Sequence, residues 1–114
     1  METEGKGRKY DEGKVPLFRG TFASFPRAMA AVATLGAFGA RKYDWFNWQH
    51  VPDGIDRYTD AMVRHLNEEA KGNVLDNESG LPHAYSVAWN ALARLELLER
   101  GAEGTMADPQ DTSA

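Results

Sequence analysis

Apolar residues recur at three- and four-residue steps in three stretches of the chain, and no stretch of any length alternates in the manner of a strand. The first stretch runs to about Tyr43. Ser24 stands where an N-cap belongs, and Pro26 falls in the first turn, where its missing N–H costs nothing. The segment RAMAAVATLGAFGARKY that follows is rich in Ala and Gly. Gly36 and Gly39 each lower helix propensity by about 1 kcal/mol relative to Ala. Close packing against another backbone would offset that, so this helix reads as central or as a subunit contact. The second helix is expected from about Ile55 to Lys71. Helical phase places Tyr58, Met62 and Leu66 within about 80° of one another, which marks them as the buried stripe. His65 and Glu69 fall on its flank, while Arg64 and Glu68 point away. Gly72 closes the helix as a C′ residue. The third helix is opened by Pro82 and runs to about Arg100. Its apolar stripe is Ala84, Val87, Ala88, Ala91, Leu95 and Leu98, with His83, Asn90 and Arg94 on one flank.

What lies between and outside these stretches completes an all-α reading: a small bundle of three main helices with an extended N-terminal arm and a disordered C-terminal tail. The arm covers residues 1–20 and ends in Lys14-Val15-Pro16-Leu17-Phe18, whose apolar members should pin it down. The helical domain covers 21–100. The tail, 101–114, is polar. At 114 residues there is room for one domain and one core. Three helices of this length make a small core, so a homo-oligomer is expected.

Composition narrows the function classes. The formal charge is −4, and the short clusters Lys6-Gly7-Arg8-Lys9 and Arg41-Lys42 do not make the basic stripe that binding to double-stranded nucleic acid needs. Cysteine is absent, which excludes disulfides and thiolate metal sites and suits the cytoplasm. No apolar run approaches the roughly 18 residues of a membrane span, and the start METEGKGRKY is too polar for a signal peptide.

Two segments carry chemistry. The loop DWFNWQHVPDG, 44–54, sets Trp45, Phe46 and Trp48 beside Asn47 and His50. Such aromatic surface can stack a nucleobase or can cover the bundle as a hydrophobic lid. The loop NVLDNESGL, 73–81, joins helices two and three, and its length makes them antiparallel neighbours. In that geometry His65 and Glu69 approach His83, with Asp76 and Glu78 above them. Two imidazoles and two or three carboxylates at one spot form a donor set for a divalent metal, Mg²⁺ or Mn²⁺. The structural alternatives are ordinary. His65 can bond a carbonyl, Asp76 can form an Asx turn, Glu78 or Ser79 can cap helix three, and Asn90 can bond across helices. On the site reading, a flank position such as His83 should tolerate Ala without loss of fold.

Four segments together resemble a phage family, the dATP/dGTP diphosphohydrolase N-terminal domain. They are Tyr10-Asp11-Glu12-Gly13-Lys14 with Pro16-Leu17; Gly39-Ala40-Arg41-Lys42-Tyr43 with Asn47-Trp48; Arg64-His65-Leu66; and Asp76-x-Glu78-Ser79-Gly80-Leu81-x-His83, continuing through Ala88-Trp89-Asn90 to Leu95-Glu96-Leu97. The resemblance covers about residues 9–98. It implies hydrolysis of purine deoxynucleoside triphosphates in the host cytoplasm. His65, Asp76, Glu78 and His83 would hold metal, with Glu78 and His83 catalytic. Lys14, Arg41, Lys42 and Arg64 would meet phosphates, and Tyr43, Trp45, Asn47, Trp48 and Asn90 would bind the rest of the nucleotide. The signatures of two known routes to this chemistry are missing. Glu96 and Glu99 have no preceding ExxE of the MazG type, and no His-Asp dipeptide of the HD type occurs. A distinct metal site therefore competes with a non-catalytic sponge that sequesters a host immune signalling nucleotide, an anti-defence role. A plain helical interaction protein is the third reading.

Overall fold

A computed structural model gives the structure of the chain and describes residues 7–101. Three long helices dominate it: α1 (Pro26–Tyr43), α2 (Gly54–Ala70) and α3 (His83–Arg100). A π-helical turn at Phe18–Phe22 precedes α1, and a 3-10 turn at Asn47–His50 sits between α1 and α2. No strand occurs among the described residues; Leu75 and Pro82 form an isolated antiparallel bridge that closes the α2–α3 loop. The fold is all-α, as the periodicity predicts. Among the described residues, no helix is long and apolar enough to cross a membrane. The expectation of a disordered tail falls, beyond Gly101, outside the described residues, as does the start of the arm.

The helix ends follow from local chemistry. Pro26 opens α1 at its first positions, but Ser24 is not its cap. The Ser24 hydroxyl instead donates to the carbonyl of Arg19 at 2.6 Å, and Thr21 Oγ1 donates to that of Leu17. The preceding turn is already helical and takes these hydroxyls for its own carbonyls, which the reading of an extended arm did not anticipate. Nor is the arm pinned down: Val15, Leu17 and Phe18 are all well exposed. At the far end of α1, Asp44 takes φ 101° and its Oδ1 accepts the Trp45 N–H at 2.9 Å. This backbone conformation is essentially glycine's, so Asp44 holds local strain at the end of α1. Gly72, at φ 93°, ends α2 as expected.

Helices α2 and α3 run antiparallel, tied at three levels. At one end Gly54 meets the Leu97 side chain: a Cβ there would lie 2.8 Å from Leu97 Cδ1, so the tip of that leucine would have to move aside. Arg94 Nε donates to Thr59 Oγ1 at 2.8 Å, and His65 meets His83 at the other end. α1 packs on α3 beside Gly36, which faces the Trp89 indole. A Cβ would fit there at 3.5 Å from the indole, and Gly39 has nothing within 4 Å, so neither glycine is required by close packing within one copy.

The buried face of α3 corrects the sequence reading. Ser86, Asn90 and Ala93 are buried together with His83 at the first position of the helix. Ala93 is the one buried apolar residue among the described residues. Leu95, placed in the core stripe by periodicity, is 51% exposed, and Leu98 is 45% exposed. Leu66 on α2, read the same way, is 44% exposed. The apolar stripe is thus not the face that the chain itself buries: α1 and the aromatic loop pack on the polar flank beside it.

Candidate functional site

The site begins with the two helices that flank the 71–82 loop. His65 projects from α2 and His83 from the first turn of α3. Their Nδ1 atoms are 2.8 Å apart and their ring centroids 5.0 Å, at a tilt of 46°. The loop folds back to hold a carboxylate over them. Asp76 N–H donates to Leu81 O, Gly80 N–H to Asp76 O and His83 N–H to Val74 O, each at 2.8 Å. Gly80 takes φ 75°, which completes the turn. One ligand atom from each of His65, Asp76 and His83 falls within 4.8 Å of the others.

The charge states suit ligation. Burial pushes the His65 imidazole below its ordinary 6.5; Asp76 pulls the other way, while His83 and Arg64 reinforce the shift. Desolvation alone would raise Asp76. Hydrogen bonds from the Ser79 hydroxyl and from the backbone N–H groups of Glu78 and Ser79, with His65 nearby, outweigh it and hold the carboxyl below 3.8. Near neutral pH His65 therefore offers an imidazole lone pair beside the Asp76 carboxylate. Asp76 also serves the turn: its Oδ2 accepts the Ser79 hydroxyl at 3.1 Å. The local and the ligand-holding readings of Asp76 are compatible.

A metal fits this donor set. With metal–nitrogen bonds of about 2.1 Å, two neighbouring ligands stand roughly 3.0 Å apart in octahedral geometry and 3.4 Å in tetrahedral geometry. The observed 2.8 Å needs a shift of a few tenths of an ångström for the former. Without a cation, the same distance is a single N–H···N hydrogen bond, one ring donating and the other accepting.

His65 and Asp76, but not the buried His83, line a cavity of about 920 Å³ between α1, the aromatic loop, α2 and α3. Lys42, Tyr43, Trp45, Asn47, Trp48, Arg64, Glu78 and Asn90 all line it, so most residues singled out from sequence face one space. Arg64, expected to point away, lines the cavity as well. A second depression of about 660 Å³ reaches His65, Asp76 and His83 from the other side.

Other assignments change. Lys14 and Arg41 do not line the cavity among the residues described: Lys14 lies in the exposed arm, and the Arg41 guanidinium lies 5.8 Å from the Phe38 ring. Glu69 is exposed on α2, outside the histidine cluster. Glu78 is also outside the cluster and accepts from Lys42 Nζ at 2.9 Å; that bond holds the Lys42 ammonium above its ordinary pKa. Asn90 donates to Ser86 O at 2.8 Å within α3 rather than across helices.

The aromatic loop divides into two roles. Trp48 packs edge-on to Trp89 (6.3 Å) and tilted against Tyr58 (6.4 Å), while Tyr58 and Trp89 meet at 5.7 Å. Tyr58 donates its hydroxyl to Trp48 O, and burial raises its phenol to about 12. Trp48 is thus structural, and Trp45, 53% exposed, presents the free ring. Sequence reasoning missed Gln49, a buried residue whose Oε1 accepts from Arg100 Nη1 at 2.7 Å. Nothing in a lone Gln within an aromatic loop signals a partner 51 positions away.

The model of a protein family described as dATP/dGTP diphosphohydrolase, N-terminal, matches residues 4–108. The chain belongs to this family. A dATP/dGTP diphosphohydrolase of Salmonella phage PMBT28 is 42% identical over 82 residues, which span 72% of this chain and 26% of the relative. No solved structure matches the chain. The family name is that of nucleotide-related hydrolases, and the match takes in both histidines, Asp76 and every cavity residue named above.

Proposed function

We propose that this domain binds a purine deoxynucleoside triphosphate in the cavity and hydrolyses one of its phosphoanhydride bonds with a divalent cation. The observation that supports it is the convergence of one ligand atom each from His65, Asp76 and His83, with His65 and Asp76 lining the aromatic-walled cavity. These three residues would hold the ion. When bound, it supplies Lewis acidity toward a phosphoryl oxygen and lowers the pKa of water. Trp45 offers the base a free ring face, and Lys42 and Arg64 offer cations to the phosphates. Two nitrogen donors favour Mn²⁺ over Mg²⁺, which prefers oxygen. Such a substrate places the protein in the host cytoplasm.

The test is incubation with dATP, dGTP and the pyrimidine dNTPs in Mn²⁺ or Mg²⁺, read by chromatography. Turnover of purine dNTPs in Mn²⁺, lost in Asp76→Asn, is the expected result. One observation favours a second reading, sequestration without turnover. Glu78 is engaged with Lys42, and Asp76 belongs to the cluster, so neither carboxylate is placed to activate water independently. Depletion of free nucleotide with no product would decide for a sponge, of the kind that could withdraw a host defence signal.

A further inference from the structure

The layer formed by α2 and α3 has two sides. One carries α1, Trp89 and the cavity. On the other, beyond the Thr59–Arg94 bond, lie Ile55, Val63 and Leu66 from α2 and Ala91, Leu95 and Leu98 from α3. Four of these, Val63, Leu66, Leu95 and Leu98, are each more than two-fifths exposed. We infer that this face is the interface with a second copy of the chain, forming a two-fold four-helix bundle.

Three observations choose that occupant. First, the described residues contain one buried apolar side chain, Ala93, so a single copy lacks a core unless this face is covered. Second, positions 55, 59, 62 and 66 on α2 and 87, 91, 95 and 98 on α3 repeat at steps of three and four, the spacing of bundle seams. Two antiparallel helices need two more to close such a seam, and an isologous two-fold supplies the same pair again. Third, the described arm does not cover this face with its own apolar residues: Val15, Leu17 and Phe18 are themselves well exposed. The named positions span about 17 Å along each helix, and two helices side by side make the face about 20 Å wide. Asp56, Asp60 and Glu99 edge it, so association should strengthen with added salt.

Sedimentation equilibrium of the full chain should give twice 12.6 kDa at micromolar concentration. Leu95→Glu should raise the dissociation constant on the order of a hundredfold or more, because each dimer loses two buried leucines. Loss of fold in that variant is bypassed by cysteine substitution, since the natural chain has none. Ala91→Cys, near the middle of the face, should cross-link into a covalent dimer under mild oxidation, and Ala30→Cys on the exposed side of α1 should not. A monomeric wild-type mass would overturn the inference. So would a dimer that cross-links through Ala30→Cys and not through Ala91→Cys.

Discussion

His65 and His83 face each other Nδ1 to Nδ1 across 2.8 Å, from two helices that the 71–82 loop makes antiparallel. At most one proton fits between those nitrogens. A second would set two cations in contact in a half-buried site. The folded-state pKa of His65 is lowered, so between that value and the ordinary 6.5 the unfolded chain binds more protons than the folded one. The stabilisation is therefore complete above about pH 6.5 and is lost as pH falls through the folded pKa. Urea unfolding in chelator should show a midpoint that drops from pH 7.5 to pH 5.5. His65→Gln should flatten that dependence; an identical slope in the variant would refute the assignment.

Burial separates two substitutions that look alike on paper. His83 is 4% exposed, so it is not the peripheral flank position that helical phase suggested, and Ala there is expected to cost stability. His83→Ala leaves a void and strips His65 of its partner, a cost of about 1–3 kcal/mol. For a domain of this size that lowers Tm by several degrees per kcal/mol. Asp76→Asn keeps the volume and the bond from Ser79. It should shift Tm less than His83→Ala while abolishing Mn²⁺ binding in calorimetric titration. Retained Mn²⁺ binding in Asp76→Asn would remove the carboxylate from the ion site.

Lys42 and Glu78 span the cavity rim at 2.9 Å, with both side chains open to solvent. A pair this open to solvent adds little to stability. Its consequence lies in binding, because a triphosphate must compete with Glu78 for the ammonium. Glu78→Gln should tighten triphosphate binding severalfold, and Lys42→Ala should weaken it by a similar factor, more so at low salt. Neither should move Tm appreciably. Arg41→Ala, one position away but stacked on Phe38, should leave affinity unchanged. Equal losses in Arg41→Ala and Lys42→Ala would mean that only diffuse charge matters.

The helices were legible because a 3.6-residue period needs only local information. Pro26, Gly72 and the Asp53-Gly54 pair marked ends within a residue or two. The meeting of His65, Asp76 and His83 was legible for a related reason: one loop joins the helices that carry them, so topology allows little else. What periodicity cannot give is the side of an apolar stripe that the same chain covers. Leu66, Leu95 and Leu98 carry the period of a core but stay exposed, while Ser86 and Asn90 are buried. The sequence also concealed the fate of charges that pair over long range. Lys42 meets Glu78 36 positions away, and no spacing rule connects them.

Arg100 supplies the last prediction, since it fastens the aromatic loop to the end of α3. Its Nη1 donates to Gln49 Oε1 at 2.7 Å, its Nε to Glu96 at 2.9 Å, and its guanidinium lies 5.2 Å from the centroid of Trp48. The planar fork serves all three contacts together, whereas an ammonium is a point charge that cannot. A charge-assisted hydrogen bond contributes about 1.5–3 kcal/mol and the ring contact about 0.5–1. Arg100→Ala should therefore cost roughly 2–4 kcal/mol. Arg100→Lys should recover less than half of that. The loss should be local as well as global. The 44–53 loop holds Trp45 and Asn47 at the cavity, so its release should raise proteolytic cleavage there before α2 or α3 is cut. Nucleotide binding should weaken in parallel. If Arg100→Lys matches the wild type in loop protection and in affinity, positive charge at the end of α3 suffices and the fork has no positioning role.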